Sequence, residues 1–234
     1  MLPRLATPKY DMIVPSSGES ITYRPYVVKE EKVLLIALES QDESQIENAV
    51  MNIIKACVES KINVDDLTTF DVEFMFVTLR AKSVGEGVKI NPPCEHCEER
   101  NEISIDIEKI KVANLENITD NHVKLTDDIS VDIKWSTMKD RLSEAERETE
   151  TDTIINLVAR SIDTIYSGEE IHSTKDATKQ EVGIFTESLS TDQFGKIAEV
   201  LGNTPHLSYN LEFDCEKCNE HNERELKGLF DFFQ

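Results

Sequence analysis

The sequence predicts an α+β fold in which an N-terminal helical layer precedes an antiparallel sheet carrying inserted helices. Three observations carry that prediction. Apolar residues recur at helical spacing through residues 28–83, the pattern turns to alternation after Gly85, and two copies of one cysteine motif bracket most of the remaining chain. The copies are Cys94-Glu-His-Cys97-Glu-Glu-Arg-Asn-Glu102 and Cys215-Glu-Lys-Cys218-Asn-Glu-His-Asn-Glu223, which agree at six of nine positions and use four of the five cysteines.

Residues 1–20, punctuated by Pro3, Pro8, Pro15 and Gly18 and without a periodic apolar face, read as an extended N-terminal arm. A short strand over 21–26 leads into the helical region of residues 21–86. There a helix over 28–39 sets Val33, Leu34, Ala37 and Leu38 against charged neighbours, and a helix over 43–59 starts at Asp42 or Ser44. A third helix over 71–83 turns Phe70, Phe74, Val77 and Ala81 inward and stops at Gly85. Residues 87–234 form the third region. Val88 and Ile90 alternate before the first cysteine motif and Ile103, Ile105 and Ile107 after it; Leu207, Tyr209, Leu211 and Phe213 alternate before the second, and an apolar tail comes after it. The two halves are expected to share one sheet. Between them come a strand through Ile129, Val131, Ile133 and Trp135, an acidic helix-prone stretch over 138–150, and helices over 153–166, 177–188 and 191–201.

A Cys-x₂-Cys turn holds two sulfurs on one side of a tetrahedral Zn²⁺, and a second such turn supplies the other half, leaving no open position for water or substrate. The expected cofactor is therefore a structural zinc ion on Cys94, Cys97, Cys215 and Cys218, which would pin the antiparallel sheet. The same spacing also suits a redox dithiol or two unligated turns; the near-duplicate flanks favour the metal. The halves stand 121 residues apart, and because loop-closure entropy grows only logarithmically with length, that distance is no obstacle. Cys57 falls on the helical stripe Ile46, Val50, Ile53, Ile54 and reads as a small buried apolar group. His96 and His221 lie inside the motifs but are superfluous as ligands once four thiolates are present, and read as solvent-facing or as supporting the ligands from behind.

A net charge of −21 repels phosphate backbones and acidic lipid surfaces, and the glutamates Glu95, Glu98, Glu99, Glu102, Glu216, Glu220 and Glu223 place that repulsion at the cysteine motifs themselves. Proteins are the expected partners. No stretch has the run of roughly 18–20 apolar residues that spans a bilayer. The first residues lack the basic and apolar segments of a secretory signal, and thiolate ligands need reducing conditions, which together predict folding in the cytoplasm. Phosphate-cradling glycine loops, nucleophile elbows and His-Glu-x-x-His are all missing, so the chain reads as non-enzymatic. The acidic run over 144–152 reads as a solvated helix face, and the stripe Ile154, Leu157, Val158, Ser161, Ile162, Ile165 as core or a helix-packing surface.

The segment Tyr23-Arg24-Pro25-Tyr26-Val-Val-Lys29-Glu30-Glu31-Lys32-Val-Leu34-Leu35-Ile-Ala-Leu-Glu39-Ser40 closely resembles the corresponding part of the T4-like bacteriophage baseplate hub assembly proteins, over roughly residues 1–90 and more loosely beyond. The resemblance implies a non-enzymatic part in building the baseplate of a contractile tail, as assembly factor or as structural component. It implies other baseplate or hub proteins as partners, and a location in the host cytoplasm during assembly or in the virion tail baseplate. Residues 1–20 are the expected contact with those partners, while Leu229, Phe230, Phe232 and Phe233 are placed at least as well to finish the chain's own sheet. The alternative is a zinc-ribbon nucleic-acid-binding or transcription-associated adaptor, which a salt-dependent affinity for DNA or RNA would reveal.

Overall fold

The computed structural model describes residues 5–143 and 150–232, with the side chains of residues 142, 143 and 150–153 left aside. In chain order the elements are β1 (Tyr10–Ile13), β2 (Ser20–Tyr23), α1 (Val28–Ser40), α2 (Glu43–Cys57), α3 (Thr69–Ser83), β3 (Gly87–Ile90), β4 (Ile103–Asp106) and β5 (Lys111–Ala113). Next are β6 (His122–Lys124), β7 (Ile129–Ile133), α4 (Met138–Ser143), α5 (Glu150–Ser161), β8 (Ile162–Ser167), β9 (Glu170–Ser173), α6 (Lys179–Glu187) and α7 (Thr191–Gly202), then β10 (His206–Asp214) and β11 (His221–Lys227). The fold is mixed, and among the described residues all strand pairs are antiparallel. Two compact units result: one of residues up to 113 together with 206 onward, the other of residues 114–205. The inserted unit thus runs from 114 to 205, inside the region expected to start at residue 87.

In the first unit, α1 to α3 coincide with the expected helices to within two residues. Asp42 caps α2 by accepting from the Gln45 N–H, and Ile46, Val50, Ile53, Ile54 and Cys57 are buried along one face. Thr68 and Asp71 form a reciprocal capping box on α3. The Asp71 carboxylate, itself fully buried, also accepts from the Ser16 N–H at 2.8 Å. That bond ties down a segment expected to be a free arm. From residue 10 onward the arm is a hairpin: Val14 and Glu19 close the turn over Gly18, whose φ of +69° suits a residue without Cβ, and the alternation of Met12 and Val14 gives β1 a buried side. Leu229 and Phe232 are buried in a closing 3₁₀ turn and Phe230 packs on Ala37, Ile46 and Ala49, so these C-terminal residues finish the chain's own core. Phe233 lies outside the described residues.

Residues 23–30, at the heart of the resembling segment, form a packed junction. Tyr23, Tyr26 and Glu30 are buried, and Arg24 reaches the Glu30 carboxylate at 2.9 Å and the Ala56 carbonyl at 3.0 Å. They tie the hairpin to α1 and α2.

The cysteine-bearing strands do not share a sheet as expected. Among the described residues β3 pairs with β4 alone, whereas β10 lies between β11 and β5. Each motif is the turn of its own hairpin, and a hairpin completes its ladder locally.

The second unit is a four-stranded sheet in the order β6-β7-β8-β9, whose Val123, Val131, Ile133 and Ile162 pack with Val158 and Ile197. Capping boxes at Thr178 with Glu181 and at Ser190 with Gln193 start α6 and α7 close to the expected positions. The helix expected over 153–166 ends at Ser161. Ile162–Ser167 is a strand instead, because β-branched and aromatic residues lead into a tight turn at Gly168, φ +59°, and pair with both β7 and β9. The expected stripe breaks accordingly: Val158, Ser161 and Ile162 are buried, but Ile154 and Leu157 are 54% and 39% exposed. Residues 144–149 of the acidic run lie outside the described residues.

Candidate metal centre

Both cysteine motifs fold into the same turn. In the first, the Cys94 N–H donates to the Glu99 carbonyl at 2.8 Å and the Glu98 N–H to the Cys94 carbonyl at 2.9 Å; in the second, Cys215 N–H to Glu220 and Asn219 N–H to Cys215 repeat this at 3.0 and 2.9 Å. The equivalent residues Glu98 and Asn219 take left-handed conformations, with φ of 60° and 58°. That conformation is at home on asparagine and costs glutamate roughly 1 kcal/mol. The first cysteine of each turn is buried and the second partly exposed.

Between the turns two buried asparagines trade places. Asn101 donates from Nδ2 to the Glu99 carbonyl of its own turn at 2.8 Å, and its Oδ1 accepts from the Glu216 N–H of the other turn at 2.9 Å. Asn222 donates to Glu220 at 2.9 Å and accepts from the Glu95 N–H at 2.9 Å. Asn101 Nδ2 also lies 3.8 Å from Cys215 Sγ. The pattern is a local two-fold. The sequence shows Asn101 and Asn222 recurring at equivalent positions, but not that each reaches into the other's turn.

The four sulfurs of Cys94, Cys97, Cys215 and Cys218 lie within 4.8 Å of one another. Cys94 to Cys218 is 3.7 Å and Cys97 to Cys215 is 3.6 Å, and neither pair is a disulfide. A tetrahedral ion with metal–sulfur bonds of about 2.3 Å requires sulfurs about 3.8 Å apart, so the quartet has the size of such a shell. Its donors are soft and occupy all four corners.

The thiols differ in their hold on a proton. Cys215 is drawn down to about 6, first by the Cys218 N–H and against desolvation, with the Lys217 N–H helping. Cys218 is favoured as thiolate by the Glu220 N–H, yet desolvation and the three neighbouring sulfurs push it up to about 12. Without a cation, four sulfurs this close cannot all stay charged. Neither histidine joins them: His96 is exposed, and His221 is exposed and pairs with Asp214 at 2.9 Å. Cys57 is fully buried elsewhere, its thiol pushed up to about 11 by burial. Lys217 reaches Glu99 of the other turn at 2.6 Å, and the glutamates of both motifs face solvent.

Among the described residues no helix is long and apolar enough to cross a membrane. No curated protein and no solved structure matches the chain. The family described as T4 bacteriophage base plate protein matches residues 7–234, which takes in the hairpin and helices of the first unit, the whole inserted unit and both cysteine turns. A match of that extent covers nearly the entire sequence, and the chain belongs to the T4 bacteriophage base plate protein family.

Proposed function

We propose that this baseplate protein acts in assembly of the baseplate hub of a contractile tail, without enzymatic activity and through contacts with other baseplate or hub proteins, and that Cys94, Cys97, Cys215 and Cys218 hold a structural Zn²⁺. The observation that carries the assembly role is the family match over residues 7–234, joined to the hub-assembly resemblance of residues 23–40. An assembly protein needs apolar surface for partners to cover. Helix α1 supplies some, burying Leu34 and Ala37 while leaving Val28, Val33, Leu35 and Ile36 exposed. The exposed glutamates around both cysteine turns speak for protein partners over nucleic acid. Hub assembly takes place in the host cytoplasm, where thiolates stay reduced, before the protein leaves or remains in the virion tail.

The zinc assignment draws on a closed, four-sulfur shell of the right size with no open corner. When bound, the ion supplies a cross-link between two hairpins far apart in sequence. The chain's own residues do the rest: matching backbone hydrogen bonds close each cysteine turn, and Asn101 and Asn222 align the turns.

The test is isolation of assembly intermediates and finished particles from infected host cells, with mass spectrometry of both. Presence in hub intermediates supports the reading, presence in particles as well identifies a structural component, and absence from both overturns it. Elemental analysis of protein purified without chelator should find one zinc per chain.

A further inference from the structure

We propose that Asn101 and Asn222 are positioning residues that assemble the sulfur quartet before any metal arrives. The inference rests on the metal reading above and adds to it which residues make the site and when.

In small zinc modules the ion itself drives folding, and the metal-free peptide is unfolded. This site is built differently. Each asparagine is buried at the base of one turn, fixed there by donating to that turn's own carbonyl, and its Oδ1 is left aimed at a backbone N–H of the opposite turn. The two N–H groups that are captured, on Glu95 and Glu216, come directly after the buried cysteines Cys94 and Cys215. Each capture therefore sets the position of a cysteine that belongs to the other half of the quartet. One of the amides also reaches a sulfur: Asn101 Nδ2 lies 3.8 Å from Cys215 Sγ. None of these contacts requires an ion. Two hairpins in separate sheets, with no shared strand ladder among the described residues, are thus joined by a reciprocal latch. Hydrogen bonds that orient ligands from behind in this way typically carry 10- to 100-fold in metal affinity.

The experiment uses the full chain, stripped with a chelator and then reloaded, and reads two quantities. Amide hydrogen exchange at Glu95 and Glu216 reports the latch, and competition against a chromophoric chelator, with cobalt(II) as the spectroscopic probe, reports the affinity. In the metal-free wild type both amides should be protected. Asn222→Ala should release Glu95, 127 residues away, and Asn101→Ala should release Glu216, 115 residues away. Each substitution should weaken metal binding by about 10- to 100-fold. Asn222→Asp keeps an acceptor for Glu95 but loses the donor to Glu220 that fixes the side chain in its own turn, so it should retain the Glu95 protection while still weakening the metal. It also serves if the alanine variant fails to fold. A merely structural asparagine would not separate the two readouts. Unprotected amides in the metal-free wild type, or variants that bind cobalt as tightly as wild type, would overturn the latch. A wild type that takes up neither cobalt nor zinc, yet shows the protection pattern, would instead overturn the metal reading and leave the latch standing.

Discussion

Removing the metal should destabilise one compact unit and leave the other untouched. All four cysteines, both asparagines and all four flanking strands belong to the unit of residues 5–113 and 206–232. An ion that binds only the folded state stabilises by RT ln(1 + [L]/Kd), about 4 kcal/mol when free zinc exceeds Kd by roughly a thousandfold. For a body of this size about 3 °C of melting temperature corresponds to each kcal/mol, which predicts a fall of roughly 12 °C on chelation. Differential scanning calorimetry of the same preparation, with zinc and then with chelator, should resolve a transition that moves by that amount and a second, from residues 114–205, that does not. Cys215→Ser should show the low transition even with zinc present. Cys57→Ser should keep its zinc and lose about 1–3 kcal/mol for placing a hydroxyl in a fully buried site. If zinc-loaded protein melts identically before and after chelation, the idea that the ion cross-links the two hairpins is wrong.

Asp71→Ala should cost about 3 kcal/mol, because it removes the carboxylate half of the α3 capping box and strands the Ser16 and Thr68 N–H groups without their acceptor; urea melts measure it, and a loss under about 1 kcal/mol would mean the hairpin is not held from α3. The Glu225 carboxyl is held at about 2, first by the Ser208 hydroxyl and then by Lys227. A folded value below the unfolded one, about 4.3, contributes stability that is complete above the unfolded value and lost as pH falls toward 2. Glu225→Gln should accordingly flatten the acid limb of the stability curve of metal-free protein between those values, and an unchanged limb would discount the contact. On α1, Leu35→Glu with Ile36→Glu should shift stability by less than about 0.5 kcal/mol, since both side chains are already more than half exposed, while reducing recovery of hub proteins from infected cells; equal recovery would remove α1 from the partner surface.

The helices of the first unit are legible in the sequence because each carries its own instructions. Asp42 announces a start, and Ile46, Val50, Ile53, Ile54 and Cys57 mark a face, so nothing distant needs to be known. The cysteine quartet is legible for a related reason, in that spacing within each turn is local chemistry and duplication of the turn implies a partner. The features that escape the sequence depend on context. Ile162 and Ile165 continue a helical stripe on paper, and only pairing with β7 and β9 makes their segment a strand. Met12 and Val14 are too few to register as periodic, and the hairpin that buries them is held by a bond from Ser16 to Asp71 across 55 residues. The expected shared sheet does not form, because the matched hairpins meet through asparagine side chains rather than through a strand ladder.

The position of the insertion explains how a site split across so much sequence stays intact. β5 ends at Ala113 and β10 begins at His206, and these two residues face each other as register partners in one antiparallel pair. The chain therefore leaves the first unit and re-enters it at adjacent points. Whatever residues 114–205 do, their folding need only return the chain to where it left, which is the circumstance under which domain insertions are tolerated. The long closed loop is then no loop in the entropic sense: its middle is a folded body with its own core of Val123, Val131, Ile133, Val158, Ile162 and Ile197. Chain entropy opposing the union of Cys94 and Cys97 with Cys215 and Cys218 is set by the β5–β10 pairing and the residues of the first unit alone. The two hairpins are close neighbours with a body spliced between them, and the asparagine latch needs only to align turns that the fold has already brought together.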